Sequence, residues 1–327
     1  MSNEVQLGST GPRVHRIGLG CMAMSGMYGP TDDAESIRTI QHAIDSGITL
    51  LDTGDFYGMG HNERLVGRAI AGRRDRVQIS VKYGALRDPA GGWTGIDTRP
   101  VASRNFLAYS LDRLGVDAID VYRPARLDPS LPIEETVGGL GELVDAGWVR
   151  HIGLSEVGAD TVRRAAAVRP IVDLQIEYSL ASRKPEHTVF PALHEVGASA
   201  TLYGVFSRGL LTGSKPTGKT DFRAWLPRFS GEAERQNATV VERIAALAQQ
   251  ADRTPAQLAL GWVLSRQPTL VPLIGAKTTK HVDDALQALH EPVSADVLDA
   301  LEALVSPETI TGTRYMAAQM AHLDSER

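Results

Sequence analysis

Short runs of apolar residues recur along the chain, and each is followed by a segment whose apolar positions repeat every three or four residues. The short runs are typical of buried strands, and the longer segments are typical of helices that bury one face. The predicted strands cover residues 16–20, 47–52, 77–82, 119–125, 149–155, 172–178, 199–206 and 270–275. The predicted helices cover residues 32–46, 62–71, 100–114, 133–146, 159–168, 187–196, 236–251, 255–266 and 279–289.

Repeated strand–helix units of this kind predict a parallel sheet with helices outside it. Eight units are enough to close a (β/α)8 TIM barrel over residues 1–327 as one domain, although counting alone leaves a doubly wound open sheet as the alternative. A short β-hairpin over residues 5–17 precedes the first unit and is expected to cap one end. The predicted helix starts are Asp32, Asn62 and Thr254, because their side-chain oxygens can accept hydrogen bonds from first-turn N–H groups.

The longest stretch without a regular pattern runs from about residue 207 to residue 234. Long loops in compact domains are often functional, so this one is predicted to cover a bound cofactor, with a mobile surface loop as the alternative. Its turn-forming residues are Gly209, Gly213, Pro216, Gly218, Pro227 and Gly231.

Composition and charge argue against several functional classes. The net charge of −5 is spread along the whole chain, which is not the pattern of a nucleic-acid-binding protein. Cys21 is the only cysteine in the sequence, which excludes an internal disulfide, and the nine histidines lack the spacing of a zinc-binding helix. We therefore expect no metal. No leader pattern and no run of about 18 apolar residues occurs, so we expect no membrane segment and a cytoplasmic location.

Three polar residues lie at or just after the carboxyl ends of two successive predicted strands. Asp52 ends one strand, Tyr57 lies in the loop after it, and Lys82 ends the next strand. In a barrel these ends share the rim where active sites lie, so the three side chains are expected to face one cavity. A lysine cation would stabilise the tyrosine phenolate, and Asp52 would keep that lysine charged. Taken singly, the residues are explained more simply as a strand-end ion pair and an exposed tyrosine; their joint placement indicates catalysis.

Six motifs in chain order resemble those of the aldo-keto reductase family. The resemblance is strongest to the branch that contains pyridoxal reductases and potassium-channel β subunits. It implies an eight-stranded barrel that holds NADP(H) across its carboxyl rim and passes a hydride to an aldehyde or ketone. The motifs are Gly20-Cys21-Met22-Ala23-Met24-Ser25, Leu51-Asp52-Thr53-Gly54-Asp55-Phe56-Tyr57-Gly58, Gly153-Leu154-Ser155-Glu156, Gln175-Ile176-Glu177-Tyr178-Ser179, Arg208-Gly209-Leu210-Leu211-Thr212-Gly213 and Ile274-Gly275-Ala276-Lys277-Thr278.

The resemblance also implies a role for each site residue. Tyr57 would be the general acid, Lys82 would lower its pKa, and Asp52 would pair with Lys82 and contribute to cofactor binding. The residues implied around the nicotinamide are Gly20, Cys21, Met22, Ser155, Glu156, Gln175 and a stacking Tyr203. Those implied along the pyrophosphate are Gly204, Val205, Phe206, Ser207 and Leu210, and those at the adenosine 2′-phosphate are Gly275, Lys277, Thr278 and His281. A lysine beside a phosphate favours NADP over NAD, although Lys277 alone is equally consistent with an exposed charge.

The sequence departs from the family pattern at two places. The family has a catalytic histidine at the end of the fourth strand, and here that position is Ala125. Its loss removes a carbonyl-orienting donor worth roughly 3–4 kcal/mol in the transition state and widens the pocket for a bulkier substrate. The second departure is the segment 203–207, Tyr-Gly-Val-Phe-Ser, where the family usually has Tyr-Ser-Pro-Leu-Gly. The side chains that could replace the missing donor are Arg123, Arg126, Tyr83 and Trp93.

Two nucleotide-binding patterns occur as well. Residues 213–220 match the phosphate loop of nucleoside triphosphatases, and residues 48–52 could serve as its magnesium-binding strand. That loop needs a strand before it and a helix after it, whereas the segment that follows is short and ends at Pro227. Residues 18–23 fit the Rossmann fingerprint, but the next predicted helix starts only near Asp32, so we expect an accidental match.

The sequence therefore predicts an NADP(H)-dependent carbonyl reductase, acting in either direction on a small aldehyde, ketone or pyridoxal-like substrate. The alternative is an NADP(H)-binding sensor or regulatory subunit with little turnover, which the missing histidine favours and the retained Asp52, Tyr57 and Lys82 oppose. A P-loop nucleotide hydrolase is the minor alternative.

Overall fold

An antiparallel hairpin of β1 (Glu4–Gln6) and β2 (Arg13–His15) closes the bottom of a barrel in the computed structural model, which describes residues 3–218 and 221–327. Gly8, at φ +59°, donates its N–H to Ser199 Oγ at 2.7 Å. The predicted cap is therefore confirmed. The apolar cluster that joins the hairpin to the barrel consists of Leu7, Val14, Leu50, Val121, Val172, Val271 and Leu273.

The barrel itself is built from eight parallel strands. In the described part of the chain the strands after the hairpin are β3 (Gly18–Gly20), β4 (Leu50–Gly54), β5 (Gln78–Tyr83), β6 (Ala85–Arg87), β7 (Trp93–Ile96), β8 (Ile119–Pro124), β9 (Val149–Ser155), β10 (Ile171–Glu177), β11 (Ser199–Tyr203) and β12 (Leu270–Gly275). β6 and β7 form a separate antiparallel hairpin. The others pair in chain order, and β12 pairs with β3. This closure confirms the predicted barrel and rules out the doubly wound sheet.

Helices surround the barrel and alternate with its strands. They are α1 (Asp33–Asp45), α2 (His61–Ile70), α3 (Pro100–Leu114), α4 (Ile133–Asp145), α5 (Ala159–Val168), α6 (Val189–Val196), α7 (Gly231–Gln250), α8 (Pro255–Arg266), α9 (Thr279–His290), α10 (Ala295–Leu304) and α11 (Ala317–Met320). None of the helices in the described segments is long and apolar enough to cross a membrane.

Two of the three predicted helix starts are confirmed. Asp32 accepts the Glu35 N–H, and Thr254 forms a capping box with Gln257. Asn62 is wrong as a helix start, because α2 begins one residue earlier and the Asn62 side chain is buried. Its amide donates to Cys21 O at 2.9 Å and to Ser25 Oγ at 2.7 Å, so it holds the loop after β3 instead.

The segment after β11 is more structured than predicted. The strand ends at Tyr203 rather than at residue 206, because Gly204 takes φ +66° and breaks the extended backbone. The irregular stretch ends where α7 begins at Gly231, not at residue 234. Between them the described residues form the 3-10 turns Ser207–Thr212, Phe222–Trp225 and Pro227–Phe229.

Neither nucleotide-binding pattern has the structure it requires. Residues 213–218 follow a 3-10 turn instead of a strand, and the segment from 221 onward begins with another 3-10 turn; Lys219 and Thr220 lie outside the described residues. After β3 the chain enters the 3-10 turn Met22–Ser25, and α1 begins only at Asp33. A phosphate loop and a Rossmann turn must each lead directly into a helix.

Candidate active site

Asp52, Lys82 and Tyr57 meet at the carboxyl rim of the barrel. Asp52 lies on β4 and Lys82 on β5, whose parallel register brings both side chains to the interior of the barrel. Lys82 Nζ donates to Asp52 Oδ2 at 2.5 Å and lies 5.2 Å from the centroid of the Tyr57 ring. Tyr57 begins the turn after β4 and is 6% exposed. The three predicted residues are thus brought together in one buried cluster.

Burial and neighbouring charges shift the pKa values of Lys82 and Tyr57. Burial lowers the pKa of Lys82, whereas the charge and hydrogen bond of Asp52 raise it. Burial also raises the pKa of Tyr57 well above its ordinary value, and the Asp52 charge adds to that effect. The Arg126 guanidinium lowers the pKa of Tyr57 again. Tyr57 therefore holds its proton at neutral pH beside two cations.

Asp52 is fixed by neutral donors as well as by Lys82. Its Oδ1 accepts from Ser80 Oγ at 3.0 Å and from Gln175 Nε2 at 2.8 Å. Gln175, predicted at the nicotinamide carboxamide, thus lies beside the ion pair. The thiol of Cys21 is fully buried next to this pair, and burial raises its pKa, so it is a small packed side chain and not a thiolate.

Ala125 follows the end of β8 and is 1% exposed, so no imidazole is present at that point of the rim. Two of the four side chains that could replace the histidine are engaged elsewhere. The Tyr83 hydroxyl accepts from Ser103 Oγ at 2.8 Å on the α3 side, and Arg123 pairs with Asp173 inside the barrel at 2.9 Å.

Arg126 and Trp93 remain as possible donors to a substrate. Trp93 is 49% exposed on β7, and its ring meets the Phe56 ring edge-on at 6.3 Å. Arg126 Nη1 donates to Ala125 O at 2.6 Å, and its Nη2 donates to the Tyr315 hydroxyl at 3.2 Å. Of the four, Arg126 directly follows Ala125 in the chain, and its charge lowers the pKa of Tyr57.

On the opposite side of the rim, Glu156 and Tyr203 form a second cluster. The Tyr203 hydroxyl donates to Glu156 Oε1 at 2.7 Å, and Arg314 reaches both carboxylate oxygens, at 2.9 and 2.6 Å. Burial alone would raise the pKa of Glu156, but the Arg314 charge outweighs it and the pKa falls to about 2. Glu156 also has a left-handed backbone, with φ 55°, which is uncommon for a residue other than glycine.

The part of the chain that completes this cluster gave no signal in the sequence. The C-terminal segment, residues 311–327, crosses the rim, and its Tyr315 hydroxyl lies 3.0 Å from that of Tyr203. Arg208 lies over the Tyr315 ring at 4.3 Å and donates to Arg314 O at 2.6 Å. Hydrophobic periodicity could not reveal these contacts, because they depend on residues that are more than one hundred positions apart in sequence.

The residues predicted along the pyrophosphate lie in the turn after β11. Gly204 takes φ +66°, and Ser207 takes φ 47°, so the backbone reverses here. Ser207 Oγ lies 3.1 Å from Ser179 Oγ, which ties the turn to the barrel. Val205 and Leu210 are buried, and Phe206 is partly buried.

The residues predicted at the 2′-phosphate lie between β12 and α9. Gly275 is exposed, with open space where a side chain would begin. Thr278 precedes the first residue of α9, and its side chain makes no capping hydrogen bond. Lys277 Nζ donates to Tyr28 O at 2.6 Å, and the Lys277 N–H donates to His281 Nδ1 at 3.3 Å. The lysine thus contacts carbonyl groups and no carboxylate in the described residues.

The residues predicted around the nicotinamide include a polar group that a carboxamide could satisfy. Ser155 Oγ is buried and has no hydrogen-bond partner in the described part of the chain, at the carboxyl end of β9. An unpartnered buried hydroxyl is costly, and a carboxamide can both donate to it and accept from it. Met22 and Gly20 are partly exposed at the same rim, which leaves access for a flat ring.

Comparison with known proteins identifies the family. The family model described as "Aldo/keto reductase family" matches residues 16–306. A curated relative, "Probable aldo-keto reductase 1" of Glycine max, is 38% identical over 318 residues, covering 95% of this chain and 91% of that protein.

Solved structures agree in fold over nearly the whole chain. A glycerol dehydrogenase of Gluconobacter oxydans is 26% identical with a TM-score of 0.82, covering 98% of this chain and 96% of its own. An aldo-keto reductase of Bacillus halodurans, solved in holo form, is 27% identical with a TM-score of 0.76, covering 94% and 97% respectively.

Proposed function

Because the chain belongs to the aldo/keto reductase family, whose members carry out nicotinamide-dependent carbonyl reduction, we propose that it is an NADP(H)-dependent reductase of a small aldehyde or ketone. The reaction can run in either direction. The observation that carries the proposal is the buried Asp52–Lys82 pair directly beside the Tyr57 ring.

Tyr57 is the proton donor in this proposal. Its raised pKa keeps the phenol protonated, and the Lys82 charge 5.2 Å from the ring stabilises the phenolate as the proton leaves. Asp52 keeps Lys82 charged against the cost of burial. A bound nicotinamide supplies the hydride.

Arg126 takes over the orienting role of the absent histidine. Its guanidinium adjoins Ala125 and carries charge beside Tyr57, so it can donate to a substrate carbonyl from the same part of the rim. Because alanine is smaller than histidine, the pocket accepts a substrate with a bulkier group at this side.

The cofactor residues divide into two groups in this proposal. Gly20, Met22, Ser155 and Gln175 bind the nicotinamide end, with Tyr203 beside the ring. Lys277, Thr278 and His281 bind the phosphate of the adenosine, which makes NADP(H) the preferred cofactor. Lys277 must exchange its contacts with Tyr28 O and Pro30 O for that phosphate.

Titration with NADPH and NADH, followed by NADPH consumption against a panel of aldehydes and ketones including pyridoxal, tests the proposal. We expect tighter binding of NADPH and turnover of at least one carbonyl. Tyr57→Phe should lower kcat at least about 100-fold while NADPH affinity stays the same, because only the proton donor is lost. Unchanged turnover by Tyr57→Phe would refute the catalytic assignment.

A cofactor-binding sensor is the second candidate. Two observations favour it: Ala125 at the histidine position, and the C-terminal segment that ties Tyr203 and Glu156 together across the rim. Tight NADPH binding with no turnover of any carbonyl in the panel would support this function over the reductase.

A further inference from the structure

A second ion pair lies inside the barrel below the proposed catalytic pair. Arg123 on β8 and Asp173 on β10 are both fully buried, with Arg123 Nη1 2.9 Å from Asp173 Oδ2. Gly153 on β9 makes room for them, since a Cβ there would lie 2.6 Å from Asp173 Oδ1 and 3.0 Å from Arg123 Cζ. Barrel interiors are usually filled by branched apolar side chains, so a charged layer at this level is unusual.

Stability does not explain this pair. Replacing a buried ion pair by apolar residues of similar volume is often neutral or stabilising, because desolvation offsets the Coulomb attraction. The desolvation cost of the Arg123–Asp173 pair is higher still, because Arg123 Nε and Asp173 Oδ1 have no hydrogen-bond partner within the described residues.

Arg123 is connected to Asp52 through Ser80. Arg123 Nη2 donates to Ser80 Oγ at 3.0 Å, and Ser80 Oγ donates to Asp52 Oδ1 at 3.0 Å. A guanidinium can only donate, so Ser80 must accept from it. The single hydroxyl hydrogen of Ser80 is then directed to Asp52, whose other oxygen accepts from Lys82.

We infer that Arg123 is a positioning residue, which fixes the Asp52–Lys82 pair beneath Tyr57 by locking the Ser80 hydroxyl. The inference rests on the proposed function, because it assigns Arg123 an effect on the reaction through that pair. The hydrogen bonds of Arg123 within the described residues go to Leu154 O, Asp173, Thr201 and Ser80, and none goes to Tyr57 or to the proposed cofactor residues of β12 and α9. Its charge also reaches Lys82, where it lowers the lysine pKa against the opposing effect of Asp52.

Ser80→Ala is the direct test, with Thr201→Val as its matched control. Both changes remove one buried hydroxyl that contacts the Arg123–Asp173 pair. Only the Ser80 hydroxyl also contacts Asp52, whereas Thr201 Oγ1 on β11 donates to Asp173 Oδ2 at 2.6 Å. We expect Ser80→Ala to lower kcat roughly tenfold, the effect of one hydrogen bond to a charged group, with KM and NADPH affinity unchanged. Thr201→Val should leave kcat within about twofold.

The double variant Arg123→Met/Asp173→Leu tests the role of Arg123 without leaving a buried charge unpaired. It should lower kcat about as much as Ser80→Ala does. Adding Ser80→Ala to it should lower kcat little further, because both changes disrupt the same hydrogen-bond path from Arg123 through Ser80 to Asp52. Thermal unfolding of each variant separates this effect from a general loss of packing.

Lys82→Met separates this inference from the proposed function. If Lys82→Met loses turnover but Ser80→Ala and Thr201→Val have the same kcat, Arg123 has no positioning role, and the proposed function stands. If Lys82→Met keeps full turnover, the proposed function is wrong, and the inference fails with it.

Discussion

Arg126 is the residue on which the proposed handling of the substrate depends. It adjoins Ala125, and its two guanidinium hydrogen bonds go to neutral acceptors, the Ala125 carbonyl and the Tyr315 hydroxyl. Arg126→Met should lower kcat/KM about 100-fold, because one donor to the developing oxyanion is lost while the apolar stem remains. Steady-state kinetics with the best carbonyl of the panel measures this.

The control for Arg126 is Arg104→Met. Arg104 is an exposed arginine of α3 that pairs with Glu142, and surface pairs of this kind contribute little. Equal kcat/KM in the Arg126 and Arg104 variants would show that Arg126 does not contact the substrate in the transition state.

Lys277 determines the choice of cofactor in the proposed function. Its amine now donates to the backbone carbonyls of Tyr28 and Pro30, and a phosphate is a stronger acceptor than either. Lys277→Met should therefore weaken NADPH binding at least about tenfold and leave NADH binding unchanged, as measured by isothermal titration. An equal loss for both cofactors would place Lys277 away from the 2′-phosphate.

Residue positions at strand ends were predictable from the sequence, and contacts across the rim were not. Asp52 and Lys82 end apolar runs on neighbouring strands, so parallel pairing alone brings them together. Arg314 lies in a polar segment without periodicity, and its partner Glu156 is 158 positions away. Only the folded packing of the C-terminal segment could reveal that contact.

At the scale of elements, apolar runs located most strands and helices but not all of their ends. Val205 and Phe206 extend the apolar run of β11, yet the left-handed backbone of Gly204 ends the strand before them. The hairpin of β6 and β7 and the helix α10 were missing from the predicted elements. A hydrophobic pattern cannot detect a backbone reversal that depends on φ.

Ion pairs join the C-terminal segment to the barrel. Arg314 is the cation that keeps the buried Glu156 ionised. Arg314→Met should lower the free energy of unfolding by about 3–5 kcal/mol at neutral pH, because it leaves a buried carboxylate unpaired. Urea unfolding measures the change, and Arg314→Met/Glu156→Gln should recover part of the loss.

The same pair predicts a pH dependence of stability. The folded pKa of Glu156, about 2, lies below its ordinary value of 4.5, so its contribution is present above about pH 4.5 and disappears as the pH falls towards 2. The stability gap between the wild type and Arg314→Met/Glu156→Gln should therefore narrow between about pH 5 and pH 2. A constant gap would mean that Glu156 titrates alike in the folded and unfolded states.

At the scale of the molecule, the interior of the barrel changes character along its axis. An apolar layer joins the N-terminal hairpin to the lower ends of the strands, the Arg123–Asp173 pair lies in the interior above it, and Asp52 and Lys82 lie at the rim. Active sites of such barrels occupy the carboxyl end, so residues of the opposite end serve stability.

Val14 tests this separation of stability from activity. It is fully buried in the hairpin against the bottom of the barrel, and Val14→Ala removes two methyl groups and leaves a cavity. The free energy of unfolding should fall by about 2 kcal/mol. KM and kcat should stay within about twofold of the wild type, because the change lies at the far end from the rim.

Val101→Ala is the matched control for Val14, since it makes the same substitution at a side chain that is 70% exposed on α3. Its effect on unfolding should stay within about 0.5 kcal/mol. Urea unfolding and steady-state kinetics of the wild type, Val14→Ala and Val101→Ala test both expectations. If Val14→Ala lowered kcat as well as the free energy of unfolding, the hairpin would be coupled to the rim through the barrel interior. The Arg123–Asp173 pair between them would then be the first candidate for the path of that coupling.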